Sequence, residues 1–187
     1  YSPTLGGTIS LDGLMNIHAP ATLVSGLSLT GTGTLANYSS INVPFDYTFT
    51  IPTINNFSSI GGAGKKTYTS GVTINSTGVL GGGDNIIANG ATVYVTGGSV
   101  SPTDTLINHG VIWVNSSFNS TSCNTQPSHF INETDGVVNL NAGNSTSWHN
   151  TRITNHGQMN KTTGNVISFA SDCNTAGSFA NSSTGTL

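Results

Sequence analysis

Charged side chains are what this sequence has least of. Only four of its 187 residues are Lys or Arg and seven are Asp or Glu. That is 6% of the chain, where roughly a quarter is usual in soluble domains. Four scattered cations build no face that neutralises a phosphate backbone, which argues against nucleic acid as a partner. Glu, Lys and Arg also furnish the exposed faces of helices, so long helices lack their material. No apolar run approaches the roughly 20 residues of a membrane-spanning helix. Cysteine and histidine do not fall at metal-ligand spacings such as C-x-x-C, so neither a metal nor a cofactor is expected. The stretch IGGAGKKTYT (Ile60 to Thr69) lacks the spacing and the strand-to-helix context of a phosphate-binding loop. Its Lys65-Lys66 pair reads as a solvated loop tip that discourages stray edge pairing.

What fills the chain instead is Gly, Ser, Thr and Asn set among β-branched residues, with 35% hydrophobic content. Disorder would combine low hydrophobicity with high charge, and the charge is missing. Strands and turns are what this composition favours, and residues 1–187 suffice for one all-β domain with a core.

Nine Asn-x-Ser/Thr triplets, at Asn37, Asn56, Asn75, Asn115, Asn119, Asn132, Asn144, Asn160 and Asn181, point to an exported, N-glycosylated chain. Sugars also supply the solubility that so few charges cannot. The two cysteines, Cys123 and Cys173, allow a single disulfide and suit an oxidising, extracellular or cell-surface setting. The chain opens at Tyr1, which is expected of a product trimmed of its leader or of an excised fragment.

Repetition is the strongest signal along the chain. An Asn after a short apolar pair recurs in LINHGVIWVN, FINETDGVVNLN, RITNHGQMN and FANSSTGTL, at Asn108, Asn132, Asn155 and Asn181. The steps are 24, 23 and 26 residues, and a Gly follows each Asn within four positions. In the first half LANYSSINV, INNFSSIGG and TINSTGVLG align Asn37, Asn56 and Asn75 at steps of 19. Asn89 stands 19 before Asn108, with a break in register between Asn75 and Asn89. An inward apolar residue, an Asn/Gly corner and a short strand are how one coil of a parallel β-solenoid reads, and the length predicts roughly nine short coils. The alternative is an antiparallel β-sandwich of pilin type completed by a neighbour's strand, to which VPFDYTFTIPTI (Val43 to Ile54) and ATVYVTGGSV (Ala91 to Val100) are suited.

On FINETDGVVNL, ITNHGQM and FANSSTGTL and their spacing, residues 106–187 resemble right-handed parallel β-helix surface proteins, the pectin-lyase-like and haemagglutinin-repeat group. The resemblance implies a fold shared by polysaccharide lyases, adhesins and fibre components, and so implies no one activity.

Enzymatic constellations are thin. A lyase of that group would need clustered carboxylates and a basic residue. Glu133 and Asp135, with the sole Arg152, are the candidates, beside His109 and His156 of two Asn-His-Gly triplets. Turn-forming corners account for all of them, and a metal held by His109, Glu133 and His156 is the sharper, less favoured reading. Alternating threonines (Thr32 and Thr34, Thr48 and Thr50, Thr67 and Thr69) raise ice binding, but no two-column lattice is evident and cross-strand pairing explains them. Tyr94, Trp113 and Trp148 are candidates for stacking on sugars, with Trp148 favoured because NSTSWHNT reads as a polar loop.

The expected function is therefore a non-enzymatic structural subunit of an extracellular filament or adhesive fibre. Residues 1–14 are expected to form an extended strand exchanged with a neighbour, and 15–187 the body. Copies would join by strand addition through Thr4, Leu5, Thr8, Ile9, Leu11 and Leu14 at one end and Leu187 at the other, since neither end offers a capping helix. Surface polysaccharide is a further expected partner. Polysaccharide binding or cleavage and ice binding are the alternatives.

Overall fold

The structure is a computed structural model that describes residues 2–97, 99–101, 105–115, 128–141, 146–149, 151–161, 167–170, 178–182 and 185–186, with backbone alone at 99–101, 146–149 and 167–170. Twenty-five short strands and no helix make up the regular structure of the described residues. A strand pairs in parallel with its counterpart about 20 residues away, as Thr34–Asn37 does with Thr53–Asn56, and Thr53–Asn56 with Thr73–Ser76. The chain is thus a parallel β-solenoid, and the antiparallel sandwich is ruled out by the direction of its ladders.

Three sheets of six, seven and eight strands carry most of the coil. One turn visits them in order, for example Ser40–Asn42, Tyr47–Phe49 and Thr53–Asn56. In the first two turns the seven-stranded sheet is replaced by the pair Thr8–Ser10 and Ser28–Thr30. There are about six three-sided turns, not the roughly nine expected from a 20-residue coil. Among the described residues the six-stranded sheet ends at Ser99–Ser101, while the other two continue through coils of 23–26 residues, longer than the 20 assumed.

Alternation along each strand builds the core. Inward residues of the eight-stranded sheet stack rung on rung as Leu35, Ile54, Ile74, Val93, Ile112 and Val138, each at most 1% exposed. Burying one such side chain contributes about 1.5–3 kcal/mol. The aromatic end of the core is built by Tyr47, Phe49 and Tyr68, with Phe49 and Tyr68 stacked at 5.1 Å. One hydrophobic cluster runs from Leu11 to Met159.

Residues 4–14 are not one extended strand awaiting a neighbour. They bend twice and, with Leu14–Ile17, form the first turn, its strands Thr4–Leu5, Thr8–Ser10 and Leu14–Ile17 each in register on the second turn. Gly7 supplies the first bend with φ 71°, a conformation that costs glycine little. Trp148 likewise lies on a strand, Thr146–His149, paired with Ile167–Ala170, and not in a loop.

Candidate functional site

The repeating asparagines turn inward. Asn108, Asn132 and Asn155 are fully buried, and each donates its Nδ2 to the next Oδ1 along the axis, at 2.7, 2.8 and 2.7 Å, ending on Asn181. Each also reaches a backbone carbonyl of the following coil, Val137, Gln158 or Thr186. Such a ladder satisfies the polar groups exposed where the backbone bends between sheets. The glycine after each Asn follows from it. A Cβ at Gly136 or Gly157 would strike the ladder amides and the carbonyls of the coil below.

A second ladder stands at another corner, Asn37 to Asn56 at 2.9 Å and Asn56 to Ser76 at 3.2 Å. The two exchange places along the axis. The Asn37 column continues from Ser76 into Val95, Val114 and Leu140, while Phe49, Tyr68 and Ile87 precede Asn108 in its own column. This exchange is the break in register seen in the sequence. Asn75 is offset by one from the ladder and faces outward, donating to Asn55 Oδ1 at 2.9 Å. Asn89 sits at a turn and donates to Asp135 at 3.3 Å.

These placements sort the acceptor triplets. Asn37, Asn56 and Asn132 are 0% exposed with their Nδ2 atoms committed to two acceptors each. A sugar on that nitrogen has no room in the folded coil, so these three are corrected from surface acceptors to structural rungs. Asn75, Asn115 and Asn181 are exposed and Asn160 half-buried. Asn119, Asn144, Cys123 and Cys173 lie outside the described residues, as does Leu187.

Lys66 is a further correction. Of the Lys65-Lys66 pair, only Lys65 lies at the surface, 3.5 Å from Asp46. Lys66 points inward, fully buried, and its ammonium donates to the carbonyls of Gly62, Gly64 and Gly82. Three carbonyls match the three donors of an ammonium, which is what makes a buried lysine tolerable. The next coil places Asn85 beside it.

The acid and base candidates gather only in part. His109, Glu133 and His156 follow the ladder residues on successive coils, so Glu133 does stand between the two histidines along the corner. His109 Nδ1 lies 2.8 Å from Asp135 Oδ1. Burial pushes the Asp135 carboxyl up, but hydrogen bonds from His109, its own backbone and Asn89 outweigh it and hold it below the usual value. Arg152 sits elsewhere, beside His129 on the seven-stranded sheet. Among the described residues no three His, Cys, Asp or Glu side chains converge as a metal site would need.

Two surfaces remain without partners among the described residues. One is the face of the first turn. Leu5, Ile9 and Met15 are only half-buried, whereas their counterparts one turn on, Leu23, Leu29 and Leu35, are 1–3% exposed. A hollow of about 300 Å³ opens there between Pro3, Leu5, Met15 and Ile17. Of the expected contact residues, Thr4, Leu5, Thr8, Ile9 and Leu14 lie on these strands, Leu11 is buried behind them, and Leu14 is 62% exposed.

The other surface is the outer side of the eight-stranded sheet. Thr34, Thr53, Thr73 and Thr92 are direct register partners, a column of four that the sequence reading missed. Thr48 and Thr67 pair similarly on the seven-stranded sheet, while Thr50 and Thr69 turn their hydroxyls to backbone carbonyls of Leu29 and Phe49. The column beside the four threonines is Ala36, Asn55, Asn75 and Tyr94, so a second threonine column is lacking. At the corner of this sheet His18, Tyr38 and Phe57 stack face to face at 4.7 Å each.

The class that these features define is a parallel β-solenoid with internal asparagine ladders. Comparison with protein-family models, curated proteins and solved structures finds no match to the chain. Among the described residues no helix is long and apolar enough to cross a membrane.

Proposed function

We propose that this chain is a non-enzymatic structural segment of an extracellular filament or adhesive surface fibre, N-glycosylated at its outward acceptors, in which coils of successive copies stack on one another. The observation that carries this is the half-covered apolar face of the first turn. Leu5, Ile9 and Met15 present there the same inward positions that Leu23, Leu29 and Leu35 hold sealed one turn on. The ladder edges of Thr4–Leu5 and Leu14–Ile17 point the same way, with backbone donors and acceptors directed along the axis. A coil from another copy satisfies both, since main-chain pairing supplies cohesion and the apolar side chains supply burial. Strand exchange in the narrow sense is replaced by coil-on-coil stacking, because residues 4–17 already belong to their own solenoid.

Electron microscopy of the purified chain tests this, with Met15→Arg as the variant. End-joined polymers should form from the unaltered chain and vanish in Met15→Arg, whose charge would be buried at the joint. Solenoids that stay single at every concentration, or polymers that survive the substitution, would overturn the proposal.

Ice binding is the second reading, favoured by the four-threonine column on the outer side of the eight-stranded sheet. Thermal hysteresis measured on the unaltered chain and on Thr73→Lys decides it. Equal values, or none, sink that reading.

A further inference from the structure

The outer side of the eight-stranded sheet carries an aromatic pair unlike the others in this protein. Tyr94 and Trp113 are direct register partners on adjacent coils and both point outward, half-buried. His18, Tyr38 and Phe57 use their ring faces on each other. Among the described residues Tyr94 and Trp113 make no ring contact, and neither the phenol nor the indole N–H has a hydrogen-bond partner. An amphipathic ring with a free polar tip favours a ligand that offers both a C–H face and hydroxyls.

The neighbouring rungs extend this into a strip. Below Tyr94 come Asn75 and Asn55 in register, joined by a 2.9 Å hydrogen bond. Alongside run Thr53, Thr73 and Thr92, whose hydroxyls also lack partners among the described residues. No position of the strip is ionisable except the Tyr94 phenol, so an anionic or cationic ligand finds nothing to pair with. Coils repeat every ~4.8 Å, close to the length of one pyranose ring. A ligand with the same period meets equivalent groups on each rung.

We infer that this strip, Thr53 and Asn55 through Val111 and Trp113, binds a neutral, flat-ribbon polysaccharide lying along the solenoid axis. Tyr94 and Trp113 take two successive sugars by their C–H faces. The amides of Asn55 and of an Asn75 that carries no sugar, with the threonine hydroxyls, take the hydroxyl rim. The chemistry is that of a β-linked glucan or N-acetylglucosamine polymer. The inference stands apart from end-to-end assembly, because the strip belongs to the side of the solenoid and is complete within one chain.

Titration calorimetry with cellohexaose and chitohexaose tests it, on protein carrying Met15→Arg so that assembly plays no part, and Thr77→Ala so that no sugar is attached at Asn75. Saturable binding of at least one hexaose is expected. Tyr94→Ala or Trp113→Ala should weaken it about ten-fold each, and Thr73→Lys should weaken it without touching an aromatic ring. Tyr38→Ala, in the stacked corner, should leave it unchanged. Circular dichroism identifies any variant that fails to fold, and Thr73→Lys, on a partly exposed outward position, then carries the test. Absence of binding to both hexaoses, binding indifferent to Thr73→Lys and the ring variants, or a dimer that dissociates on Trp113→Ala would each overturn the inference, the last by giving the strip to a second copy.

Discussion

Replacing Asn132 with alanine tests the ladder directly. Asn132 accepts from Asn108 Nδ2 at 2.7 Å and donates to Asn155 Oδ1 at 2.8 Å and to the Gln158 carbonyl at 3.1 Å. At about 1 kcal/mol net for each bond, their loss costs about 3 kcal/mol. Asn155 Oδ1 and the Gln158 carbonyl then lose a donor in a wall from which water is excluded, adding about 1–3 kcal/mol. The expected destabilisation is therefore about 4–6 kcal/mol, several times the ~1 kcal/mol of an ordinary substitution. Asn75→Ala is the matched control. It removes one exposed side-chain hydrogen bond and should stay within about 0.5 kcal/mol. Urea unfolding followed by circular dichroism compares the two. Because a repeat array opens locally, hydrogen exchange at the Glu133 and His156 amides, which bond to the carbonyls of Asn108 and Asn132, should locate the loss. Equal destabilisation by the two variants, or unchanged exchange at those amides, would refute the argument that the ladder holds the corner.

Lys66→Met should destabilise the chain by about 3 kcal/mol in the same assay, because the carbonyls of Gly62, Gly64 and Gly82 lose the ammonium inside the coil and Gly82 keeps only the Asn85 amide at 3.5 Å. A neutral result would mean that the cage does not matter. Glycopeptide mass spectrometry of folded, secreted protein should find sugar among Asn75, Asn115, Asn160 and Asn181 but none on Asn37, Asn56 or Asn132. Sugar on any of those three contradicts their burial. Burial, helped by the Arg152 guanidinium, holds the His129 imidazole below its ordinary value. The unfolded chain therefore takes up a proton near pH 6.5 that the folded chain resists. Stability should fall as pH drops below about 6.5, and His129→Gln should flatten that limb of the urea midpoint against pH.

Much of the fold is legible in the residues. Asn108, Asn132, Asn155 and Asn181, aligned by spacing alone, are the rungs of one ladder, because a bend repeated on every coil demands the same side chain at the same place. The first-half alignment was right at Asn37 and Asn56 and slipped by one at Asn75. Aligning Ile54 with Ile74, both buried, would have placed Ser76 on the ladder. The outward strip was half visible, in Tyr94 and Trp113 as stacking candidates. Their adjacency follows from the 19-residue step between Asn89 and Asn108, which also carries Tyr94 onto Trp113.

Composition and period by themselves determined that this chain is all-β, repetitive and nearly free of charge, whereas the parallel direction of the coil, open until then against an antiparallel sandwich, was read from the ladders. Those properties are sums over local preferences and recur with the repeat. Which side of each strand faces the axis was decided only by the tertiary structure. Alternation has a period of two, so a slip of one residue exchanges inside for outside. That single choice buried Lys66 among carbonyls, took Asn37, Asn56 and Asn132 from the surface, and set Tyr94 beside Trp113 on the outside.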